Sequence, residues 1–377
     1  MRPKPHTLLC TVGTSLFEGN LRRLDRLEAP PPNASQLQSA FTRRDWRQLG
    51  EELAKLDPNS RCCGAEINTL CQLRSHSDLA LRKVVFFVSD TEDGRDTGEV
   101  LSQYLSARRD LDLEGPAPVV VEQLQDARPR DFRNHGLRNL VRRMGEQILQ
   151  GGGPEFVAID ATGGYKAQIA VAVVLGQALG IPVFYKHEKF SETIAFPPLP
   201  ISLDYSLFGT HADLLNLFER GGTLTHEELK DADERLFLFL NEEKVDSASL
   251  YELNAVGQIY LTGFRITRGR TIKLTPAKDR RIPTFRSDHY PKGFKEFVNR
   301  IWEENSWIKT ARSTDYSGQA GIKAVGFRVR HWDSRPVLEG TYLDKDGFGA
   351  RFELVLEDSS LDVLTLAADR LNEQYAS

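Results

Sequence analysis

Phe156-Val-Ala-Ile-Asp-Ala-Thr-Gly-Gly-Tyr-Lys-Ala-Gln-Ile-Ala-Val-Ala-Val-Val-Leu-Gly-Gln-Ala-Leu-Gly180 is the stretch whose reading decides the fold. The apolar run at 156–159 has the length and composition of a buried strand. Thr162-Gly163-Gly164 reads as a tight turn, and residues 165–179, rich in small apolar side chains, as a helix laid on a sheet. Strand, glycine turn and helix in that order form a cradle for an anion. Adjacent glycines let the backbone swing and let a ligand come close, while the free N–H groups of the first helical turn favour negative charge. Thr162 adds a hydroxyl and Lys166 a mobile positive charge, so the loop suits a phosphodiester without a metal. The competing reading is a turn that needs glycine for geometry alone. A Walker A loop is excluded by the missing Gly-x4-Gly-Lys-Ser/Thr spacing, and a dinucleotide fold by the absence of Gly-x-Gly-x-x-Gly after the first strand, which sets aside ATPases and dehydrogenases.

Outward from this stretch the rhythm is α/β. Strands are expected at 7–12, 84–88, 118–122, 156–159 and 181–186, with 193–196 returning antiparallel beside the last. Helices between them imply a parallel sheet, and in such sheets ligands sit beyond the carboxyl ends of the strands where the order reverses. The polar loops leaving those ends should converge. Their residues, Gly13, Thr14, Ser15, Ser89, Asp90, Thr91, Thr162, Gly163, Gly164 and Lys166, are the candidate ligand-binding set. Residues 17–82 break the rhythm and read as a helical insertion, with Ser35 as an N-cap and Asp57-Pro58-Asn59-Ser60 separating two helices.

At 377 residues, 40% hydrophobic and 27% charged, two or three globular domains are expected. No apolar run approaches the roughly 20 residues of a membrane span, and Met1-Arg-Pro-Lys-Pro-His runs directly into a strand rather than a signal peptide. A cytoplasmic protein with no membrane partner is expected. Four cysteines fit a reducing compartment. Cys62, Cys63, Cys71 and His76 could be drawn as a zinc site, but paired Cys-x2-Cys knuckles are missing and a helix with one apolar face explains them. Between Leu261 and Arg351, 19 Lys+Arg stand against 10 Asp+Glu, in a chain whose formal net charge is −4. A basic segment in an otherwise acidic protein points to a polyanion partner, with a solvated basic face as the alternative.

Val12-Gly-Thr-Ser-Leu16 after the first strand, paired with Asp160-Ala-Thr-Gly-Gly-Tyr-Lys166 after the fourth, resembles the CARF domain, the Rossmann-like sensor of type III CRISPR defence proteins. The resemblance covers about residues 1–200. It implies a homodimer that binds cyclic oligoadenylate, the tetramer favoured, across its two-fold axis as an allosteric activator. It implies that Gly13, Thr14, Ser15, Thr162, Gly163, Gly164 and Lys166 line that site. A two-fold cyclic phosphodiester matches paired glycine cradles meeting at a dimer seam. The 17–82 stretch departs from the family pattern and leaves the roof of the pocket open.

Beyond this sensor, expected at 1–203, residues 204–279 read as short helices followed by a strand-like stretch at 251–275, the order of a winged helix-turn-helix. The acidity of 231–243 favours a transmitting spacer over a DNA reader. Residues 280–377 read as a small α+β domain: a helix carrying Phe294, Phe297, Val298, Ile301 and Trp302, strands at 323–332, 337–343 and 350–356, and a helix at 361–374. Alternation puts Arg328 and Arg330 on one face of the first of these strands and Val325, Phe327 and Val329 on the other. With His331, Arg335, Arg312, Tyr316 and Arg351 in the same segment, these arginines could grip RNA phosphates. A solvated sheet face is the plain alternative.

No carboxylates with metal-ligand spacing accompany these residues, so a metal nuclease is disfavoured and no cofactor is expected. The element order resembles RelE-type mRNA interferases, and CARF–HTH–RelE fusion is a known architecture. The resemblance is topological rather than motif-based and implies a metal-independent endoribonuclease acting on ribosome-bound mRNA. From the residues themselves, Arg328, Arg330 and Arg351 are expected to stabilise phosphate and His331 or Tyr316 to transfer protons, with Arg312 in the same candidate set. Arg130 and His135 match the Arg-x4-6-His of HEPN ribonucleases but fall within the first domain. Two alternatives stand beside this reading. One is a cyclic oligoadenylate-responsive CARF–HTH regulator without nuclease activity, and the other a sensor that cuts its own ligand with Ser15, Thr162 and Lys166.

Overall fold

The computed structural model describes residues 3–26, 30–115, 117–187, 190, 192–245, 248–268, 280–286, 289–314 and 322–376. They form two compact units, Met1–Leu203 with Asn254–Ile266, and Asp204–Leu253 with Thr267–Ser377.

The first unit is built on six strands: β1 Thr7–Thr11, β2 Lys83–Ser89, β3 Val119–Val121, β4 Val157–Asp160, β5 Val183–Tyr185 and β6 Ile194–Phe196. Their order is β3-β2-β1-β4-β5-β6, parallel from β3 to β5, with β6 antiparallel at the edge. Every residue of β1 and of β4 is buried, as required of central strands covered on both faces. From β1 the chain winds to β2 and β3 on one side, then returns to lay β4 and β5 on the other. The carboxyl ends of β1 and β4 are therefore neighbours at the point where the order reverses.

Alternation divides the core in two. Leu8, Cys10, Val84, Phe86 and Val88 pack on one face against Leu37, Leu49, Leu53, Ile67, Leu70, Leu101 and Tyr104. Leu9, Val85, Phe87 and Ile159 pack on the other against Leu140, Met144 and Leu175. Residues 17–82, expected as an insertion, are thus the β1-to-β2 crossover, and their helices Ala34–Thr42, Trp46–Leu53 and Gly64–Arg74 cover a sheet face. The helix Lys166–Leu179 ends where Gly180 takes a left-handed conformation at φ 68°.

Of the stretch 251–275, residues 269–275 lie outside the described residues, and 251–268 differ from expectation. β9 stops at Leu253, and Ala255–Arg268 is a helix. Its β-branched and aromatic residues imitate a strand, but Ile259 and Ile266, two turns apart, both enter the core against Leu9 and Val85. The stretch 204–279, expected as one domain, is accordingly divided between the two units.

The second unit holds a three-stranded sheet, order β7-β9-β8, from β7 Leu224–Thr225, β8 Leu240–Val245 and β9 Ala248–Leu253. A four-stranded antiparallel sheet, order β10-β13-β12-β11, comprises β10 Ile308–Ser313, β11 Gly326–Trp332, β12 Arg335–Leu343 and β13 Gly349–Leu356. β10 was not expected, since Ile308-Lys-Thr-Ala-Arg-Ser has little alternation of its own. Asp333 and Ser334, at φ 49° and 66°, form the two-residue turn between β11 and β12, the twist that a tight hairpin requires. The terminal helix Leu361–Tyr375 packs on β11 and β12 and against the helices Ser206–Thr210 and Ala212–Glu219.

The close approach of the first unit's two glycine turns is testable. A Cβ on Gly163 would lie 2.9 Å from both Gly13 N and Thr11 O, whereas one on Gly19 meets no atom within 4 Å. Gly163→Ala is expected to lower stability by about 1–3 kcal/mol, and Gly19→Ala to change it by less than about 0.5 kcal/mol, read from urea midpoints. Equal midpoints for the two variants would refute the contact.

Candidate ligand cleft and arginine cluster

The carboxyl ends of β1 and β4 open into a cleft of about 640 Å³ in the first unit. Behind its lining residues lie two buried acids that hold them in place. Glu66, from the helix Gly64–Arg74, accepts a hydrogen bond from Gly13 N at 2.9 Å, and its Oε2 has no partner among the described residues. Asp160, the last residue of β4, accepts from Thr162 N at 3.1 Å and from the Thr162 hydroxyl at 2.6 Å. The two turns are tied further by the Thr11 hydroxyl, which donates to Gly163 O at 2.6 Å.

Burial disfavours the charged form of both acids. It raises Glu66 above its ordinary range, against the pull of the Gly13 N–H. Asp160 is pushed up to about 7 by burial, with Thr162 opposing and the negative charge of Glu66 reinforcing the shift. Asp160, behind the Thr162 turn, is therefore partly neutral near pH 7, which lessens negative charge close to a cleft for an anion.

Seven of the ten expected ligand residues line this cleft: Gly13, Thr14, Ser15, Ser89, Thr162, Gly163 and Gly164. Three do not. Asp90 accepts from Gln123 N at 3.0 Å and pairs with Arg95. Thr91 caps the helix Glu92–Ala107 by accepting from Gly94 N at 3.0 Å. Lys166, the first residue of its helix, is exposed and outside the lining. The Thr162 hydroxyl lines the cleft but is already engaged, donating to Asp160 and accepting from Lys186 N at 3.0 Å.

Sequence reasoning missed Lys186, His187, Arg23 and Glu18, which also line the cleft. A signal for Lys186 was present: it follows β5, the strand beside β4, so its position satisfies the same carboxyl-end rule. Glu66 carried no such signal, because a lone acid in an apolar helix normally faces solvent. Desolvation lowers the pKa of the Lys186 ammonium, with no other influence resolved.

In the second unit the expected catalytic arginines surround a buried acid. Glu339 on β12, 2% exposed, has Arg328 at 3.3 Å, Arg330 at 3.6 Å and Arg351 at 3.8 Å. Arg328 also reaches Asp213 at 3.4 Å, a carboxyl whose pKa burial raises. Register explains the arrangement: Arg328, Glu339, Glu353 and Arg312 stand opposite one another across β11, β12, β13 and β10. Burial disfavours the charged form of Arg351 as well. The face is charge-compensated rather than uniformly cationic. Arg330 and His331 are both exposed, but alternation along β11 sends them to opposite faces. Tyr316 lies outside the described residues.

Other sequence alternatives resolve into structure. Cys62 and Cys63 are buried in the core, the latter's thiol pushed up to about 12 chiefly by burial, and His76 packs edge-on against Phe184. Among the described residues no group of three potential metal ligands is present, and no helix is long and apolar enough to cross a membrane.

Residues 61–199 match the model of a family described as CRISPR-associated protein Cas_APE2256. The matched segment runs from the helix Gly64–Arg74 through β6 and contains Glu66, Asp160 and Lys186, and it agrees with the CRISPR association expected of this part of the chain. No curated protein matches the chain. Among solved structures, Can2 from Sulfobacillus thermosulfidooxidans in complex with cyclic tetra-adenylate aligns at 11% identity and a TM-score of 0.24, over 71% of this chain and 65% of that one.

The buried acids generate two measurements. A carboxyl whose pKa rises from 3.8 to about 7 on folding holds its proton more tightly in the folded state. Its contribution to stability is therefore full below about pH 4 and is lost as pH rises through 7. Asp160→Asn should flatten the decline in urea midpoint between about pH 5 and 8 relative to the parent, and parallel curves would show that Asp160 does not titrate there. Glu339→Gln, which leaves Arg330 and Arg351 facing an uncharged amide and Arg328 with Asp213 as its remaining acid, should cost about 3–5 kcal/mol in the same assay.

Proposed function

We propose that this chain is a ligand-gated effector of type III CRISPR defence. In this reading it is a homodimer whose first units bind cyclic oligoadenylate, the tetramer favoured, in the cleft between the β1 and β4 turns. Its second unit is a metal-independent endoribonuclease that cuts mRNA on the ribosome in the manner of RelE-type enzymes. One observation carries the sensor half: two glycine turns meet at the reversal point of a parallel sheet, beside a lysine, and much of this arrangement lies in the segment that matches a CRISPR-associated family. The cleft excludes bulky side chains where backbone N–H groups would face phosphates.

For the effector half, cleavage needs a base for the 2′-hydroxyl, a cation for the developing phosphorane charge and an acid for the leaving 5′-oxygen. Arg330, 47% exposed, is the member of the arginine cluster best placed to meet a phosphate. Residues 204–253 supply a spacer. Glu234–Phe239, one of the short helices read from the sequence as part of a winged helix, is a 3₁₀ helix preceded by Asp231 and Asp233, an acidity that suits a spacer better than a DNA reader.

The regulator reading has one specific observation in its favour. Glu339 and Asp213 already engage Arg328, Glu339 also faces Arg330 and Arg351, and His331 leaves on the opposite face. Cutting of the ligand by the sensor itself has less support, because the Thr162 hydroxyl is committed and Lys166 lies outside the cleft.

The deciding experiment adds purified protein to translating ribosomes with and without cyclic tetra-adenylate. Message cleavage that requires the ligand is the expected outcome, and Arg330→Ala should lower its rate at least about tenfold without loss of ligand binding. Ligand-dependent retention of promoter DNA without any cleavage would instead establish the regulator.

A further inference from the structure

An anion bound in this cleft needs a cation on the cleft wall, and the structure offers a different one from the lysine that the motif suggested. Lys186 stands at the carboxyl end of β5, partly buried, and lines the cleft, whereas Lys166 is exposed and does not. The root of the Lys186 side chain is held in place. Its backbone N–H donates to the Thr162 hydroxyl at 3.0 Å, that hydroxyl donates to Asp160 Oδ1 at 2.6 Å, and the Thr69 hydroxyl joins at 3.4 Å. The ammonium itself makes no ion pair among the described residues. Burial has removed part of its hydration and no carboxylate has replaced it, an arrangement that an incoming phosphate oxygen would relieve. Gly13, Gly163 and Gly164 present no side chain beside it, so a phosphate can approach backbone and ammonium together.

We infer that Lys186 is the residue that contacts a phosphodiester of the anionic ligand in this cleft, and that Thr162 is a positioning residue that acts through it. The inference rests on the sensor reading above and assigns to it a specific contact. A preorganised cation of this kind selects a phosphodiester over an uncharged nucleoside, since its charge is satisfied only by an anion.

The test is calorimetry of the 377-residue chain with cyclic tetra-adenylate at several salt concentrations. Lys186→Met should weaken binding at least about tenfold and make the remaining affinity less sensitive to salt, because one ionic contact is gone. Lys186→Arg, which keeps the charge, should recover most of the affinity, and Lys166→Met should stay within about twofold of the parent. Thr162→Val should weaken binding while keeping the parent's salt dependence, as a positioning role requires, and Thr162→Ser should restore it. Parent binding that Lys186→Met leaves untouched overturns this inference alone. No binding by the parent overturns the sensor reading and this contact with it.

Discussion

Two carboxyl groups buried beneath the carboxyl ends of β1 and β4 set the conformation of everything above them. An acid removed from water must find donors or surrender its charge. Here the donors are Gly13 N for Glu66 and both the backbone and the hydroxyl of Thr162 for Asp160. Satisfying these acids draws the two turns together until no Cβ fits on Gly163. The shape of the cleft is thus a consequence of where the acids are buried, and the glycines are what allow that burial.

The second unit solves a related problem with different chemistry. Glu339 is buried as deeply, yet its partners are arginines rather than backbone amides. Amide and hydroxyl donors add no charge, so the acids behind the first cleft stay charged or become neutral by protonation. Here one buried acid is shared by three guanidiniums, so Glu339 holds the arginines of β11 and β13 in register. A catalytic use of this cluster and a purely structural one share the same geometry, and they differ only in whether a phosphate can compete with Glu339 for the outermost arginine.

The residues around the first cleft also show how a local motif and a spatial site diverge. Asp90 and Thr91 sit in a polar loop at the end of β2, where the carboxyl-end rule places ligand groups, but they brace Gln123 and cap a helix. Lys186 has no motif around it, yet it reaches the cleft because β5 lies beside β4.

What the sequence determined by itself was what local pattern encodes. The buried strands, the glycine turn with its helix, the antiparallel return at 194–196, the β11–β12–β13 meander and the closing helix all follow from side-chain period and turn chemistry. It also placed Gly13, Ser15 and Gly163 at a shared site, because a parallel sheet brings strand ends to one edge. Tertiary structure alone decided the rest. That residues 17–82 cover a sheet face, that Ala255–Arg268 is a helix packed on the first core, and that β10 joins the second sheet depend on partners distant in the chain. The same holds for Glu66 beneath Gly13, for Lys186 in place of Lys166, and for the acid at the centre of the arginines. A residue's period along the chain tells which way it points from its own element, but what it meets there is set by the element that packs against it.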